Sequence, residues 1–273
     1  MQRLHGRHLP HAIAFSEMTF RHSPSWRLAA FACLAAAAPL HAQTDEIQVY
    51  TGELETPGKA NLTIHANYTP EGRTVAGFPG GVVAQGSVNG AFEWAYGVTD
   101  WFEAGTYLPV YTLTRDHKVQ IDGVKLRALF AIPHARERRF FYGVNFELSH
   151  NSQHWEATRY SGEIRPIIGT RGGGWELIVN PILDTAFNGF SHLDFAPCAR
   201  VAYNPSPTFA VAVEHYADFG KISHAAAGQE QEHNLFAVAD FSRRLFDLET
   251  GIGFGLTKAS DKLVLKTILS HTF

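Results

Sequence analysis

Apolar and polar residues alternate along most of the chain after about residue 60. In the stretch 140–149, FFYGVNFELS, every even position from 140 to 148 is apolar, and the odd positions from 143 onward are Gly, Asn, Glu and Ser. Side chains of a β-strand point to opposite faces in turn, so this stretch predicts a strand with one apolar and one largely polar face. Its length matches the 9–11 residues that a tilted strand needs to cross a bilayer.

The same alternation predicts twelve strands in series. On the third, Leu108 and Val110 are assigned to the apolar face and Glu103 to the polar face. The predicted strands are Ala60–Tyr68, Gly90–Val98, Phe102–Val110, Val124–Ile132, Phe140–Leu148, Thr158–Ile168, Trp175–Leu183, Leu193–Tyr203, Phe209–His215, Leu235–Phe241, Phe246–Phe254 and Leu263–Phe273.

The predicted connections alternate in length. The short ones are 99–101, 133–139, 169–174, 204–208 and 242–245, the longer ones are 69–89, 111–123, 149–157, 184–192 and 216–234, and 255–262 is intermediate. Short periplasmic turns, longer outer loops and an even strand number are typical of bacterial outer-membrane barrels. The sequence therefore predicts an all-β fold, a transmembrane antiparallel up-and-down barrel of about twelve strands. The competing interpretation is a soluble sandwich with the apolar faces inside.

Composition favours the barrel. Charged residues make up 18% of the 273 residues, below the roughly 25% typical of soluble proteins, and aromatic residues make up 12%. No run of about 18 apolar residues occurs, which argues against membrane-spanning helices.

The N-terminus has the pattern of an export signal. Arg27 precedes the apolar run Leu28–Ala38, and Leu40–Ala42 fits a cleavage site before Gln43, so residues 1–42 are predicted to be removed. A start at Met18 would give a signal of ordinary length. Residues 43–58 are then a periplasmic N-terminal segment or a plug, and residues 59–273 the barrel. Bulky Phe31 and the long apolar run argue against lipidation at Cys33.

Removal of residues 1–42 makes the chain more acidic. These residues hold four Arg and one Glu, so 19 basic and 25 acidic residues remain, a formal charge of −6. Such a charge argues against nucleic acid as a partner. Only Cys198 remains, so an intramolecular disulfide is excluded.

Several stretches of the chain resemble the meta-pathway phenol-degradation family of outer-membrane barrels. They are IQVYTGELETPGKANLTIHANYT, EWAYGVTDWFEAG, KLRALFAIPHA, FFYGVNFELS, EIRPIIG, LIVNPILDT and GIGFGLTKASDKLVLK. The resemblance implies the outer membrane of a Gram-negative bacterium, a transporter or porin-like protein and a link to aromatic degradation, without catalytic residues. The terminal Phe273 is the usual sorting feature read by the barrel assembly machinery, and outer-membrane lipid is the expected surrounding.

The polar faces supply the candidate lumen lining. Unpaired buried charges are costly, so these groups are either wet, in an open polar channel, or paired, in a plugged barrel. Lys125 and Arg127 require acidic partners across the lumen, whereas Glu163 and Arg165 are spaced to pair locally. The candidates are Glu93, Glu103, Lys125, Arg127, Asn145, Glu147, Glu163, Arg165, Glu176, Asn180, Asp184, Asp194, Arg200, Glu214, Asp240, Asp247, Glu249, Lys262 and Lys266.

Passive passage of small organic solutes is the favoured function, and only the family resemblance implies that these solutes are aromatic or otherwise apolar. A structural barrel without a pore is one alternative. A lipase-type hydrolase is another, although Ser149, His150 and Asn151 are adjacent and adjacent strand residues point in opposite directions. The histidine pairs 150/154 and 224/233 have no metal-motif spacing, and no cofactor is expected.

Two glycine-containing stretches complete the predictions. Phe78–Gly81, in the longest loop, is either an apolar constriction or a loop packed on its neighbours. Gly251, Gly253 and Gly255 share an inward face that could admit the N-terminal segment or a bulge.

Overall fold

The structure is a computed structural model that describes residues 45–273. Three predictions concern residues outside this range. They are the signal at 1–42, the alternative start at Met18 and the argument against lipidation at Cys33. Two 3-10 turns, Ala135–Glu137 and Phe190–His192, accompany sixteen strand segments in the described range. These are β1 Ala60–Glu71, β2 Val88–Gly97, β3 Phe102–Leu113, β4 Val119–Ala131, β5 Phe140–Asn151, β6 Tyr160–Gly172, β7 Trp175–Asn180, β8 Leu183–Thr185, β9 Asp194–Phe195, β10 Cys198–Ser206, β11 Phe209–Asp218, β12 Gly220–Lys221, β13 His224–Ala225, β14 Glu232–Ser242, β15 Asp247–Gly255 and β16 Leu263–Thr272.

The segments form one closed antiparallel barrel. Each long strand pairs with the next, and β1 closes the wall by pairing with β16. Strand β6 pairs with both β7 and β8, because Pro181 interrupts one wall strand between them. Pro197 likewise separates β9 from β10, and β12 continues β11 after Phe219. The described residues therefore make twelve wall strands, as predicted.

The two ends of the barrel differ in their connections. One end, called the short-turn end, carries residues 98–101, 132–139, 173–174, 207–208 and 243–246. The opposite long-loop end carries residues 72–87, 152–159 and 219–231 among others. The predicted long loop 111–123 is wrong, since β3 and β4 continue their ladder to the pair Leu113 and Val119, and only 114–118 remains as a turn.

A β-bulge corrects one predicted face. The register between β3 and β4 shifts between Tyr107 and Val110. An extra residue at a bulge reverses the alternation beyond it. Val110, predicted to face outward, is therefore buried inside with Tyr107, while Leu108 stays outside and half exposed.

The outward face is apolar over the height of the wall. Trp94, Leu126, Leu148 and Leu177 all point outward and are more than two-fifths exposed in the isolated chain. Aromatic rings stack in pairs at the short-turn end, Phe102 on Phe130, Trp175 beside Tyr203 and Phe209 beside Phe241, with centroids 4.8, 5.0 and 5.2 Å apart. An apolar band with an aromatic girdle is the surface that a bilayer requires of a barrel.

No helix among residues 45–273 has the length and apolar content needed to cross a membrane.

Glycines on the inner face make room for aromatic rings of neighbouring strands. A Cβ at Gly169 would lie 2.1 Å from the ring of Phe141, and one at Gly253 would lie 2.3 Å from the ring of Phe236. Of the β15 glycines, Gly253 admits this wall ring, whereas Gly251 lies against Val238 and Lys266 and Gly255 against Ser260 and Asp261, so the nearest neighbours of all three belong to the wall and its loops rather than to the N-terminal segment.

The filled lumen as candidate functional site

The N-terminal segment, defined as residues 45–57, lies inside the barrel. It enters at the short-turn end, where the backbone N–H of Gly58 donates to the carbonyl of Gly97 at 2.8 Å. From there it runs toward the middle of the lumen, where the amide of Asn67 donates to the Asp45 carbonyl at 3.1 Å. Val49 and Tyr50 are at most 5% exposed.

Side chains of the wall satisfy the backbone of this segment. Residues 46–56 form no strand, and buried backbone groups without partners are costly. Asn180 accepts from the Tyr50 N–H at 2.7 Å and donates to the Tyr50 carbonyl at 3.1 Å, which imitates a strand pairing. Lys266 donates to the Ile47 carbonyl at 3.2 Å, and Arg165 donates to the Gln48 carbonyl at 3.3 Å.

Arg165 joins the wall to the segment. Its guanidinium lies 4.3 Å from the ring centroid of Tyr50, reaches Glu46 at 3.4 Å, and pairs with Glu163 at 2.6 Å. The last contact is the predicted local pair. Lys125 is placed similarly, 2.8 Å from Asp45 and 3.6 Å from Glu147.

The phenol groups of Tyr50 and Tyr107 meet at the centre of the lumen. Their oxygens are 2.5 Å apart, and the Tyr107 hydroxyl also donates to Glu46 at 2.9 Å. Asn145, which is fully buried, donates to Glu147 at 2.9 Å. This centre is therefore a buried hydrogen-bonded network that includes both wall and segment.

Arg127 on β4 finds its partners on the two preceding strands, β2 and β3. It pairs with Glu93 at 3.0 Å and with Glu103, and Glu93 also contacts His65 at 2.9 Å. The expectation that Lys125 and Arg127 need carboxylates from across the lumen is wrong, because neighbouring strands and the segment provide them.

A second ion cluster fills the other side of the lumen. Lys266 is fully buried between Glu214 and Glu249, and Arg200 contacts Glu214 and Asp240. Apart from the bond of Lys266 to the Ile47 carbonyl, this cluster is held within the wall.

The remaining predicted lining residues lie nearer the ends. Glu176 pairs with Arg171 at 2.6 Å near the short-turn end. Asp184 stands opposite Glu163 and Asp194 in the strand register, and all three are half-buried. Asp247 is exposed at the start of β15, and Lys262 is exposed before β16 begins, so neither belongs to the paired network.

Arginines at the short-turn end hold the point where the segment leaves the lumen. Arg136 and Arg171 lie 3.3 and 3.6 Å from Glu53. Burial raises the pKa of Glu53 above its usual value, and the two arginines act against that rise.

Three participants were missed by the sequence reasoning. Tyr50, Tyr107 and His65 are buried in the network, but none carries a charge that marks it in the sequence. The short apolar patch Ile47–Leu54 was the available signal for the segment, since apolar residues of a tether in water have no reason to be there.

The predicted hydrolase residues do not assemble. Ser149 is buried on the inner face, whereas His150 points outward and contacts the ring of Tyr160 at 5.2 Å. Asn151 donates to Glu156 and Ser161 instead. Within residues 45–273 no group of three or more His, Cys, Asp or Glu side chains converges on a metal position.

Two loops at the long-loop end contact each other and the inner face of the wall. The N–H of Val82, beside Phe78–Gly81, donates to the His154 carbonyl at 3.0 Å, and His154 contacts buried Asp122 at 2.8 Å. Trp155 turns inward and packs against Tyr107 and Val110. Within Phe78–Gly81, Phe78 and Gly81 are half-buried whereas Pro79 and Gly80 are exposed, so the stretch packs only in part on its neighbours.

The fold resembles those of solved outer-membrane channels. An outer membrane channel from Pseudomonas putida F1 superposes with a TM-score of 0.54 at 12% identity, covering 84% of this chain and 100% of that one. The NanC porin gives a TM-score of 0.52 at 8% identity, covering 78% and 98%, and the KdgM porin 0.52 at 7%, covering 78% and 99%.

Comparisons of the sequence alone do not identify a family for the chain. No family model matches the chain, and no curated protein matches it. At these identities the superpositions establish the fold alone, and the chain shares with these outer-membrane porins and channels the fold of a closed antiparallel barrel, here of twelve strands.

Proposed function

We propose that the protein is an outer-membrane channel for small organic solutes whose lumen is filled by its own N-terminal segment at rest. The observation that carries the proposal is the manner in which the lumen is filled. Residues 45–55 are held by side-chain contacts and take no part in the strand ladder. Such a segment can leave without breaking the wall.

The wall beneath the segment favours apolar solutes. Leu129, Phe141, Ile167 and Ile178 face inward near the short-turn end and are covered by Val49 and Tyr50. Departure of the segment would expose an apolar surface beside the charged centre, a combination that suits an aromatic ring carrying a polar group. The resemblance to the phenol-degradation barrels agrees with this substrate class. A channel function agrees with the fold that the chain shares with the NanC and KdgM porins.

Conductance and uptake measurements test the proposal. The full chain and a variant without residues 45–55, both expressed with residues 1–42 in place and purified folded, are compared in planar bilayers and in liposomes that take up phenolsulfonate, a charged aromatic solute that a bare bilayer excludes. We expect low conductance from the full chain, and higher conductance with faster phenolsulfonate entry after deletion.

A structural barrel without a pore is the second candidate, and the filled lumen itself favours it. The two functions differ in the deletion variant. If the folded deletion variant conducts no better than the full chain and admits phenolsulfonate no faster than protein-free liposomes, the structural function is correct and the channel is not. Ester hydrolysis is expected from neither protein, because Ser149 and His150 lie on opposite faces.

A further inference from the structure

The side chain of Tyr50 is buried against residues of several wall strands. The guanidinium of Arg165 lies 4.3 Å from the centroid of its ring, and that of Arg127 lies 5.7 Å from it. Tyr50 also belongs to the same apolar cluster as Leu129 and Ile178, and it is 5% exposed. The wall therefore encloses an aromatic ring between cations and aliphatic side chains, which both favour such a ring.

Polar groups of the wall meet both ends of this side chain. The Tyr50 oxygen lies 2.5 Å from the Tyr107 oxygen and 3.4 Å from Oε1 of Glu147. An ionised carboxylate only accepts, whereas a tyrosine hydroxyl donates and accepts, so together they suit a phenolic hydroxyl. At the other end, the Asn180 amide accepts from the Tyr50 N–H and donates to the Tyr50 carbonyl.

These wall groups keep partners that do not belong to the segment. Arg165 pairs with Glu163 at 2.6 Å, and Glu147 contacts Asn145 at 2.9 Å and Lys125 at 3.6 Å. Side chains that are already held in place lose less conformational entropy when a ligand binds. Departure of the segment therefore leaves an organised lining.

We propose that the place of Tyr50 is a binding site for a 4-hydroxyphenyl solute, which the wall binds as it binds Tyr50 at rest. The inference rests on the proposed function, because the solute enters only after the segment has left. The solute ring lies on Arg165, its hydroxyl lies between Tyr107 and Glu147, and an amide on its side chain takes the bonds of Asn180. Tyr50 is then a built-in competitor of the solute.

The hydroxyl decides the specificity of this site. A ring without a hydroxyl proton leaves the Glu147 carboxylate without its donor, and sites built to bond a hydroxyl reject analogues that lack one. 4-Hydroxyphenylacetamide is the matching probe, because its amide follows one methylene after the ring, as the backbone of Tyr50 does. 4-Methoxyphenylacetamide is the matched analogue without the proton.

Cys198 reports occupancy of the site. Its thiol lies 3.6 Å from Oδ1 of Asn180 and is buried in the cluster that contains Tyr50. In the folded variant without residues 45–55, this thiol opens to a water-soluble thiol reagent, and a bound probe covers it again. We expect saturable protection by 4-hydroxyphenylacetamide, and equal protection by 4-methoxyphenylacetamide only at a concentration more than about 10-fold higher.

Substitutions in that variant test the assigned contacts. Tyr107→Phe removes one partner of the solute hydroxyl, and Arg165→Met removes the cation on the ring, so each should weaken protection about 10-fold. Tyr216→Phe is the matched control. Tyr216 stands opposite Cys198 in the strand register and donates to Glu214 at 2.6 Å, so its substitution should leave the affinity unchanged.

Tyr50→Ala in the full chain tests the site without deletion. The variant keeps the rest of the segment and leaves the space of one ring. 4-Methylphenol, which is the side chain of tyrosine itself, should raise the urea midpoint of this variant more than that of the wild-type protein, because a ligand of the folded state stabilises it. 4-Methylanisole controls for uptake into detergent and should not do so.

Loss of the hydroxyl preference would overturn the proposal. It would appear as equal protection by the two amides, or as equal stabilisation of Tyr50→Ala by 4-methylphenol and 4-methylanisole. Protection that neither Tyr107→Phe nor Arg165→Met weakens would overturn it too. A deletion variant that conducts but shows no protection would refute the site and leave the channel function standing, whereas hydroxyl-dependent protection without conductance would support the site and refute the channel.

Discussion

Arg165→Met should release the N-terminal segment from the lumen without opening the barrel. The substitution removes the 3.4 Å contact with Glu46, the 3.3 Å hydrogen bond to the Gln48 carbonyl and the cation–π contact with Tyr50. A hydrogen bond from a charged donor contributes about 1.5 kcal/mol, and a desolvated cation–π contact about 1–2 kcal/mol. The sum of about 3 kcal/mol corresponds to a population of the released state about 100-fold higher.

Cys198 is a natural reporter of that release. Its thiol is 2% exposed, lies 4.0 Å from the Gln48 carbonyl and packs in the cluster that Val49 and Tyr50 complete. A water-soluble thiol reagent can reach it only after the segment moves away. The labelling rate of the folded protein, followed by intact-mass spectrometry, therefore measures the frequency of release, and we expect Arg165→Met to raise it about 100-fold.

Arg200→Met is the matched control. Arg200 is also buried among carboxylates, Glu214 and Asp240, but contacts no residue of the segment. It stands two positions from Cys198 on the same strand, so purely local loosening would accelerate labelling more in this variant than in Arg165→Met. Equal labelling rates in the two variants, or rapid labelling of the wild-type protein, would refute the reasoning.

Three further substitutions test the packing of the lumen, each by urea unfolding in detergent. Trp155→Ala removes a large buried side chain at the long-loop end and should cost about 3–5 kcal/mol of unfolding free energy; a loss under 1 kcal/mol would show that the loop does not seal the lumen. Gly169→Ala should cost about 1–3 kcal/mol of unfolding free energy because the new Cβ would push on the ring of Phe141. Adding Phe141→Leu should recover part of that loss, and no recovery would show that the strain lies elsewhere. Lys266→Met should cost about 3–5 kcal/mol by removing the buried cation that pairs with both Glu214 and Glu249, which leaves Glu214 with Arg200 as its cationic partner; combining it with Glu214→Gln should restore part of the stability, and a double variant no better than the single one would contradict the pairing.

Local alternation was enough to predict the barrel wall. The period of two fixes which residues of a strand share a face, and this property needs no knowledge of distant contacts. It identified twelve strands and placed Trp94, Leu126 and Leu148 outside and Glu93, Arg127 and Glu147 inside, as the structure has them. It failed at Val110, where the bulge after Tyr107 inserts one residue and reverses the faces beyond it.

The partners of the inward charges could be known only from the tertiary structure. The sequence shows that Arg165 needs carboxylates, and spacing on one strand suffices to suggest Glu163. Arg165 also holds Gln48 and Tyr50, which lie more than a hundred residues earlier in the chain, because the wall closes around the segment. Side chains of the wall, rather than a strand ladder, satisfy the backbone of residues 45–55. This segment therefore does not need the alternation of apolar and polar residues that marks a strand. The sequence therefore determined a membrane barrel, whereas three-dimensional closure decided that its lumen is filled.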